Sequence, residues 1–386
     1  MEKINIKQIN NYQLNNRQAL LGISYFTKIG PATMRRLEKY FSSATSAFWA
    51  NSFYLEKAGL KPSLAIEFIA WRKKFDITAV EMELKKEKIN FITWHDPEYP
   101  CLLKEISSPP FILYYKGSLN TLDDTHKLRL AIVGSRKHSA YAEKTINEFI
   151  PGLVAEKIEI ISGLALGIDS LAHRVTLNNR GLTIAVLGTG LDSMSIYPTI
   201  NRKLAQEIIN RGGIIISEFS PKTQALKQNF PQRNRIISGL AQATLVIEAK
   251  EKSGSLITAA YALDQNREVL AIPGNIFAEF SKGTNNLIKA GAKSITDLSD
   301  ILEVFKIETN KATNNRPLKT KDLIFKNELE KIIYEVMQQA NARAERITVD
   351  EIIKITKLDT AVINSTLSML ELRGIAKSDG ISYDIN

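Results

Sequence analysis

Six short apolar runs recur between residues 128 and 272, each stopped by small residues and separated from the next by a segment of helical period. The first runs from Leu128 to Val133 and is closed by Gly134-Ser135-Arg136. The others span residues 158–161, 182–187, 213–217, 243–248 and 268–272. Strands that are apolar on consecutive residues are covered on both faces, which is the habit of parallel sheets. Helical patterns near residues 140–156, 170–177, 201–209, 231–240 and 255–264 supply the crossovers. The alternation predicts an α/β fold with a mostly parallel sheet, right-handed crossovers and helices on both faces.

In such sheets ligands bind beyond the carboxyl ends of the strands. Small residues gather at that edge: Gly134-Ser135, Ser162-Gly163, Gly188-Thr189-Gly190, Ser253-Gly254-Ser255 and Pro273-Gly274. They let a backbone approach a ligand closely, although glycine also ends strands for steric reasons alone. Arg136 has a planar fork that matches phosphate oxygens. In Phe230-Pro231-Gln232-Arg233-Asn234-Arg235, Pro231 suits the first position of a helix. That puts Arg233 and Arg235 near the positive end of the macrodipole, where a shared anion would account for them. Phe230 offers a ring for a base to stack on, with core packing as the equal alternative. Ser253-Gly254-Ser255 reads as an N-cap and anion nest, or as a cap alone.

Other chemistry is poorly supported. Asp169 and His173 share a helix face, but no further His or Cys joins them, so structural hydrogen bonding is expected. No Ser-His-Asp order and no nicotinamide fingerprint stands out, and no cofactor or metal is expected. The formal net charge of +10 favours an anionic partner, most often nucleic acid. Cys101 is the single cysteine, read as a structural thiol, and its solitude fits a reducing cytosol. The polar start has no leader pattern and no run approaches the ~18 apolar residues of a membrane span, so a cytoplasmic location without membrane contact is expected.

Flanking segments differ in texture. Residues 1–85 read as a helical domain of helix-hairpin-helix or SAM-like type, with Lys28-Ile29-Gly30-Pro31 as a turn between helices. Residues 86–305 form the α/β domain, entered through strand-like stretches near Phe91 and Phe111. Residues 306–325 read as a linker. Residues 326–386 carry three helical stripes and a hairpin around Asp379-Gly380, the pattern of a winged helix. The third of these helices offers few base-reading residues (Asn364, Ser365, Arg373), so protein contact or weak DNA contact is expected of this domain.

The ordered set of motifs resembles one family. Gly134-Ser135-Arg136, the stretch from Ser162 to His173, Ala185 to Gly190, Tyr197-Pro198, Phe230 to Arg235, Ser253 to Ala259, Pro273-Gly274 and Gly283-Thr284-Asn285 carry the likeness. The chain is identified as a member of the DprA (Smf) family of bacterial DNA-processing proteins. The resemblance implies an extended Rossmann-like domain that binds single-stranded DNA, protects it during natural transformation and loads RecA recombinase onto it, without catalytic turnover. By motif, Gly134, Ser135, Arg136, Ser162, Gly163, Gly188, Gly190, Phe230, Arg233, Asn234, Arg235, Ser253, Gly254 and Ser255 are expected to form the DNA pocket, with Lys282 and Asn285 as additions. The resemblance also implies homodimerisation through residues 283–301, with Leu287, Ile288, Ile295 and Leu298 as candidates for the dimer or RecA interface. Single-strand-binding protein is a further possible partner. The loop from Asp192 to Tyr197 is longer than the family's usual spacing, and Pro221 to Ala225 departs from its usual pattern. The alternative reading is a nucleotide phosphoribohydrolase-like enzyme on a related fold.

Overall fold

The computed structural model describes residues 14–122, 127–307, 327–341, 346–372, 375–378 and 382–385. They fall into two compact units, 14–307 and 327–385. The expected linker lies outside the described residues from 308 onward, as do Arg373 and the Asp379-Gly380 turn.

In the first unit the strands are β1 (Asn90–Thr93), β2 (Ile112–Gly117), β3 (Arg129–Val133), β4 (Glu159–Ser162), β5 (Thr183–Val186), β6 (Ile214–Ser217), β7 (Ala243–Val246), β8 (Glu268–Ala271) and β9 (Lys293–Ser294). They form one sheet in the order β1-β2-β6-β5-β4-β3-β7-β8-β9. All pairs from β6 to β9 across the sheet are parallel, while β1 and β2 add an antiparallel edge. The five strands of the run from β3 to β7 are buried at every residue, which is why their sequences are apolar without alternation. Successive residues of β3 still divide between two cores. Leu130 and Ile132 join Ile146 and Ile150 of the helix Ala140–Ala155. Ala131 and Val133 join Ile237 of the helix Asn229–Gly239 and Ala259 of the helix Gly254–Asp264.

The order has one consequence for function. The chain leaves β3 for β4 on one side and returns beside β3 as β7 on the other. That reversal opens a crevice past the carboxyl ends of β3 and β7.

The helices before the sheet share its core. Leu20, Leu21 and Leu37 sit in one cluster with Ile112, Leu113 and Ile216. The sequence places Pro31 in the turn that begins at Lys28, whereas in the structure Pro31 already opens the helix Pro31–Phe41.

The second unit has three helices, Glu328–Asn341, Val349–Thr356 and Thr360–Leu372. Strands β10 (Ile347–Thr348), β11 (Ala376–Ser378) and β12 (Ser382–Ile385) form an antiparallel sheet in the order β10-β12-β11. Ile333, Ile352, Ile363 and Leu367 form its core. Among the described residues no helix is long and apolar enough to cross a membrane.

Candidate functional site

A cavity of about 700 Å³ occupies the crevice. Its wall at β3 is the turn Gly134-Ser135-Arg136, and the reason for each residue type is visible. A Cβ on Gly134 would lie 2.3 Å from Ile168 Cδ1 and 3.0 Å from the Glu248 carbonyl. Ser135 N–H donates to that carbonyl at 2.9 Å, and Ser135 O accepts from Ile168 N–H at 3.2 Å. The Glu248 carboxylate accepts from Ser139 N–H at 3.1 Å and from the Ser139 hydroxyl. With the turn pinned on both sides, Arg136 is left to project. Its guanidinium carbon stands 5.9 Å from the centroid of the Phe230 ring. Tyr197 meets the same ring, centroid to centroid at 5.8 Å and tilted by 50°.

Arg233 forms part of the floor and is 4% exposed. It donates to Gly163 O at 2.7 Å, to Val186 O, and to Asn234 Oδ1 at 3.2 Å. Burial lowers its pKa to about 10, with the nearby Asp169 charge acting the other way, so it remains a cation at neutral pH. Asp169 accepts from Gly163 N–H at 3.1 Å, and burial raises its pKa. The glycine between them is obligatory, because a Cβ on Gly163 would lie 2.7 Å from Arg233 Nη2 and 2.7 Å from Asp169 Oδ2.

The far wall is the start of the helix Gly254–Asp264, capped by Ser253, whose hydroxyl accepts from Ser255 N–H at 3.4 Å. Asn234 ties in the neighbouring helix through Gly254 O at 3.3 Å. A Cβ on Gly254 would meet nothing within 4 Å, so the space over this backbone is open. The positive end of the helix macrodipole thus lies at the cavity, an arrangement suited to an anion.

Of the residues singled out from sequence, Gly134, Ser135, Arg136, Phe230, Arg233, Asn234, Ser253, Gly254 and Ser255 line the cavity. Others do not. The helix bearing Arg233 starts at Asn229, so Pro231 is its third residue, not its first, and both arginines sit past the first turn. Arg235 turns away and forms a two-pronged pair with Glu218, 2.7 Å at each contact. The Ser162 hydroxyl is spent on Ile132 O at 2.6 Å. Gly188 makes room for the Phe230 ring and Gly190 for Asp192 and Ser220, so their smallness serves packing. Asn285 is bonded twice to the Gly274 backbone, at 3.2 and 3.0 Å. Lys282 is exposed at the start of the helix Lys282–Lys289 and does not line the cavity.

The interface candidates also divide. Leu287 and Ile288 are half-buried on that helix, whereas Ile295 is 1% exposed inside the core and Leu298 packs against Gly152. The most exposed apolar side chains nearby are Ile276 and Phe277, at 72% and 87%, just after the Gly274 that Asn285 holds.

His173 donates or accepts with Thr183 Oγ1 at 2.7 Å and is fully buried, which fits the structural role expected of it. Among the described residues no group of three or more His, Cys, Asp or Glu is gathered to hold a metal. Cys101, expected to be a structural thiol, is free and exposed. Sequence reasoning missed Lys227, Lys250 and Lys252, all of which line the cavity. Asp169 also lines it, and Tyr197 entered only through the family motif.

The class thus defined is a doubly wound α/β protein whose switch point holds a cationic cavity edged by aromatic rings. Residues 90–306 match the family model described as DNA recombination-mediator protein A, and the chain belongs to that family. It is 43% identical over 231 residues to the DNA processing protein DprA of Streptococcus pneumoniae, covering 60% of this chain and 79% of that one. It is 33% identical to the protein Smf of Synechocystis, covering 96% and 99%. The X-ray structure of the Streptococcus pneumoniae protein superimposes with a TM-score of 0.64 at 35% identity, over 76% of this chain and 98% of that one. A DNA processing protein A from Helicobacter pylori, whose structure concerns its single-stranded DNA binding mode, gives 0.50 at 29% identity, over 56% and 96%.

Proposed function

We propose that the cavity binds single-stranded DNA and that the protein is a recombination mediator, without catalytic turnover, that protects the strand and loads RecA onto it. The observation that carries the reading is the convergence of Arg136, buried Arg233, Lys227, Lys250 and Lys252 on one cavity that also presents the Phe230 ring. Cations track the phosphates and a ring takes a base without regard to its identity. The single-stranded DNA binding of the Helicobacter pylori relative supports it.

The finer parts belong to the same proposal. The first 85 residues act as a helical domain, and residues 86–305 as an extended Rossmann-like domain. A linker over 306–325 leads to a winged-helix domain over 326–386. The protein works as a cytoplasmic homodimer through the helix Lys282–Lys289 and its surroundings, where Leu287 and Ile288, with exposed Ile276 and Phe277, offer an apolar surface. RecA docks close by, and single-strand-binding protein is a further partner. Sedimentation of wild-type protein against Phe277→Asp tests the dimer: the variant is expected to sediment as a monomer. RecA filament assembly on strands coated with single-strand-binding protein tests loading, with stimulation expected from wild type and lost in Arg136→Ala.

A further inference from the structure

The segment 193–203 and the loop 163–167 are sewn together at one rim of the cavity. Asn201 Nδ2 donates to Leu164 O at 2.9 Å and to Ala165 O at 3.3 Å, and Arg174 donates to Asn201 Oδ1 at 3.4 Å. Arg202 holds the same segment through Ile196 O at 3.2 Å and Met194 O. Ala165 and Tyr197 line the cavity itself. Beyond them the rim exposes Leu166 at 43%, Met194 at 74%, Tyr197 at 44% and Ile200 at 73%. Neither segment contains a carboxylate. The carboxylates bonded to these segments or beside them, Asp169, Asp192 and Glu87, all accept backbone N–H bonds: Asp169, itself buried, from Gly163, Asp192 from Lys222 and Ser195, and Glu87 from Ser193. Exposed cations Arg174 and Lys203 flank the patch.

We infer that this rim is the continuation of the DNA track, where bases leaving the cavity lie across Leu166, Met194 and Ile200, with Tyr197 as the step between the two. The inference rests on the cavity reading proposed above. A cavity of about 700 Å³ is the size of a small-ligand cleft, so a strand longer than a few nucleotides leaves it over a rim. Apolar faces interleaved with cations and free of acids suit a polyanion with flat apolar bases. Continuity with the cavity through Ala165 and Tyr197 selects the same strand over a protein partner.

The test uses the full chain and labelled oligothymidylates of about four and about twelve nucleotides, chosen to be shorter and longer than the cavity. The triple variant Leu166→Ser, Met194→Ser, Ile200→Ser changes only exposed side chains, and its melting temperature serves as the folding control. Its affinity for the long strand is expected to fall about ten-fold or more, while the short strand stays within about two-fold and the salt dependence is unchanged, because apolar contact and not charge is removed. Ile200→Tyr is expected to keep or tighten long-strand binding. Unchanged long-strand affinity in the triple variant overturns the inference and returns the rim to a protein partner. Equal loss on both lengths also overturns it. If Arg136→Ala leaves short-strand affinity unchanged, the cavity reading itself has failed and this one falls with it.

Discussion

Arg235 and Glu218 close a two-pronged ion pair in which the side chains are 8% and 7% exposed. Arg233 is separated from Arg235 by one residue, yet it lies under the cavity. Residues two apart on a helix do not share a face, so the two arginines of one motif have different duties. Arg235 also donates to Ser108 O at 3.0 Å, linking the helix Asn229–Gly239 to the segment before β2. Arg235→Ala leaves a buried carboxylate unpaired, and a loss of about 3–5 kcal/mol in unfolding free energy is expected. Replacing both partners with apolar residues recovers much of it. Chemical denaturation measures this, and the DNA affinity of the protein that remains folded is expected to stay within about two-fold of wild type.

Arg136 and Phe230 separate charge from stacking. Arg136→Ala is expected to weaken single-strand binding about ten-fold at low salt and to reduce the slope of log K against log salt by about 0.7, one phosphate contact. Phe230→Ala is expected to cost about 1–3 kcal/mol of binding with the slope unchanged. Phe230→Leu fills the space beside Gly188 and controls for packing. Anisotropy titrations over a salt series distinguish the two behaviours.

Two glycines make a matched pair. A Cβ at Gly163 collides with Arg233 and Asp169, whereas one at Gly254 meets open space. Gly163→Ala is expected to cost about 1–3 kcal/mol of stability through overpacking, and to weaken binding by shifting the Arg233 floor. Gly254→Ala is expected to leave the melting temperature within a degree or two of wild type. Its methyl group stands where a phosphate would approach the helix N-terminus, so affinity is expected to drop. Thermal melts and titrations of both variants check the pair.

His173 makes acid stability readable. Burial and the Arg233 charge hold its pKa at about 3, against an ordinary value of 6.5. Between those values the unfolded chain binds a proton that the folded one refuses, so stability falls as pH drops below 6.5. The maximal slope for one group is about 1.4 kcal/mol per pH unit. Asp169 acts in the opposite sense, since its raised pKa lets the folded state take up a proton first. His173→Leu is expected to flatten the melting temperature between pH 6 and pH 4 relative to wild type, at the expense of the Thr183 hydrogen bond.

The parallel sheet was legible because its strands are buried on both faces and end in small residues. Leu130 to Val133 followed by Gly134 leaves little else to be. The turn holding Arg136 was legible for the same reason. The fate of Arg235 was not, since its partner Glu218 follows another strand and only the fold brings them together. Ile295 and Leu298 read as interface candidates only from the resemblance, which implied dimerisation through residues 283–301, but they pack into the core beside Gly152 and Ile301. Lys227, Lys250 and Lys252 were invisible among 51 basic residues, because a lysine's spacing carries no signal until the loops are folded. Gly188 and Gly190 carried a true signal of close approach, but the approaching atoms belong to Phe230, Asp192 and Ser220 and not to a ligand.

The most direct test of the account is fluorescence anisotropy of a labelled poly-dT strand and a matched duplex over a salt series, with wild type and Arg136→Ala side by side. The account predicts tight, salt-steep preference of wild type for the single strand and weaker, less salt-dependent binding by the variant. Duplex binding as strong as single-strand binding, or identical curves for the two proteins, would contradict it.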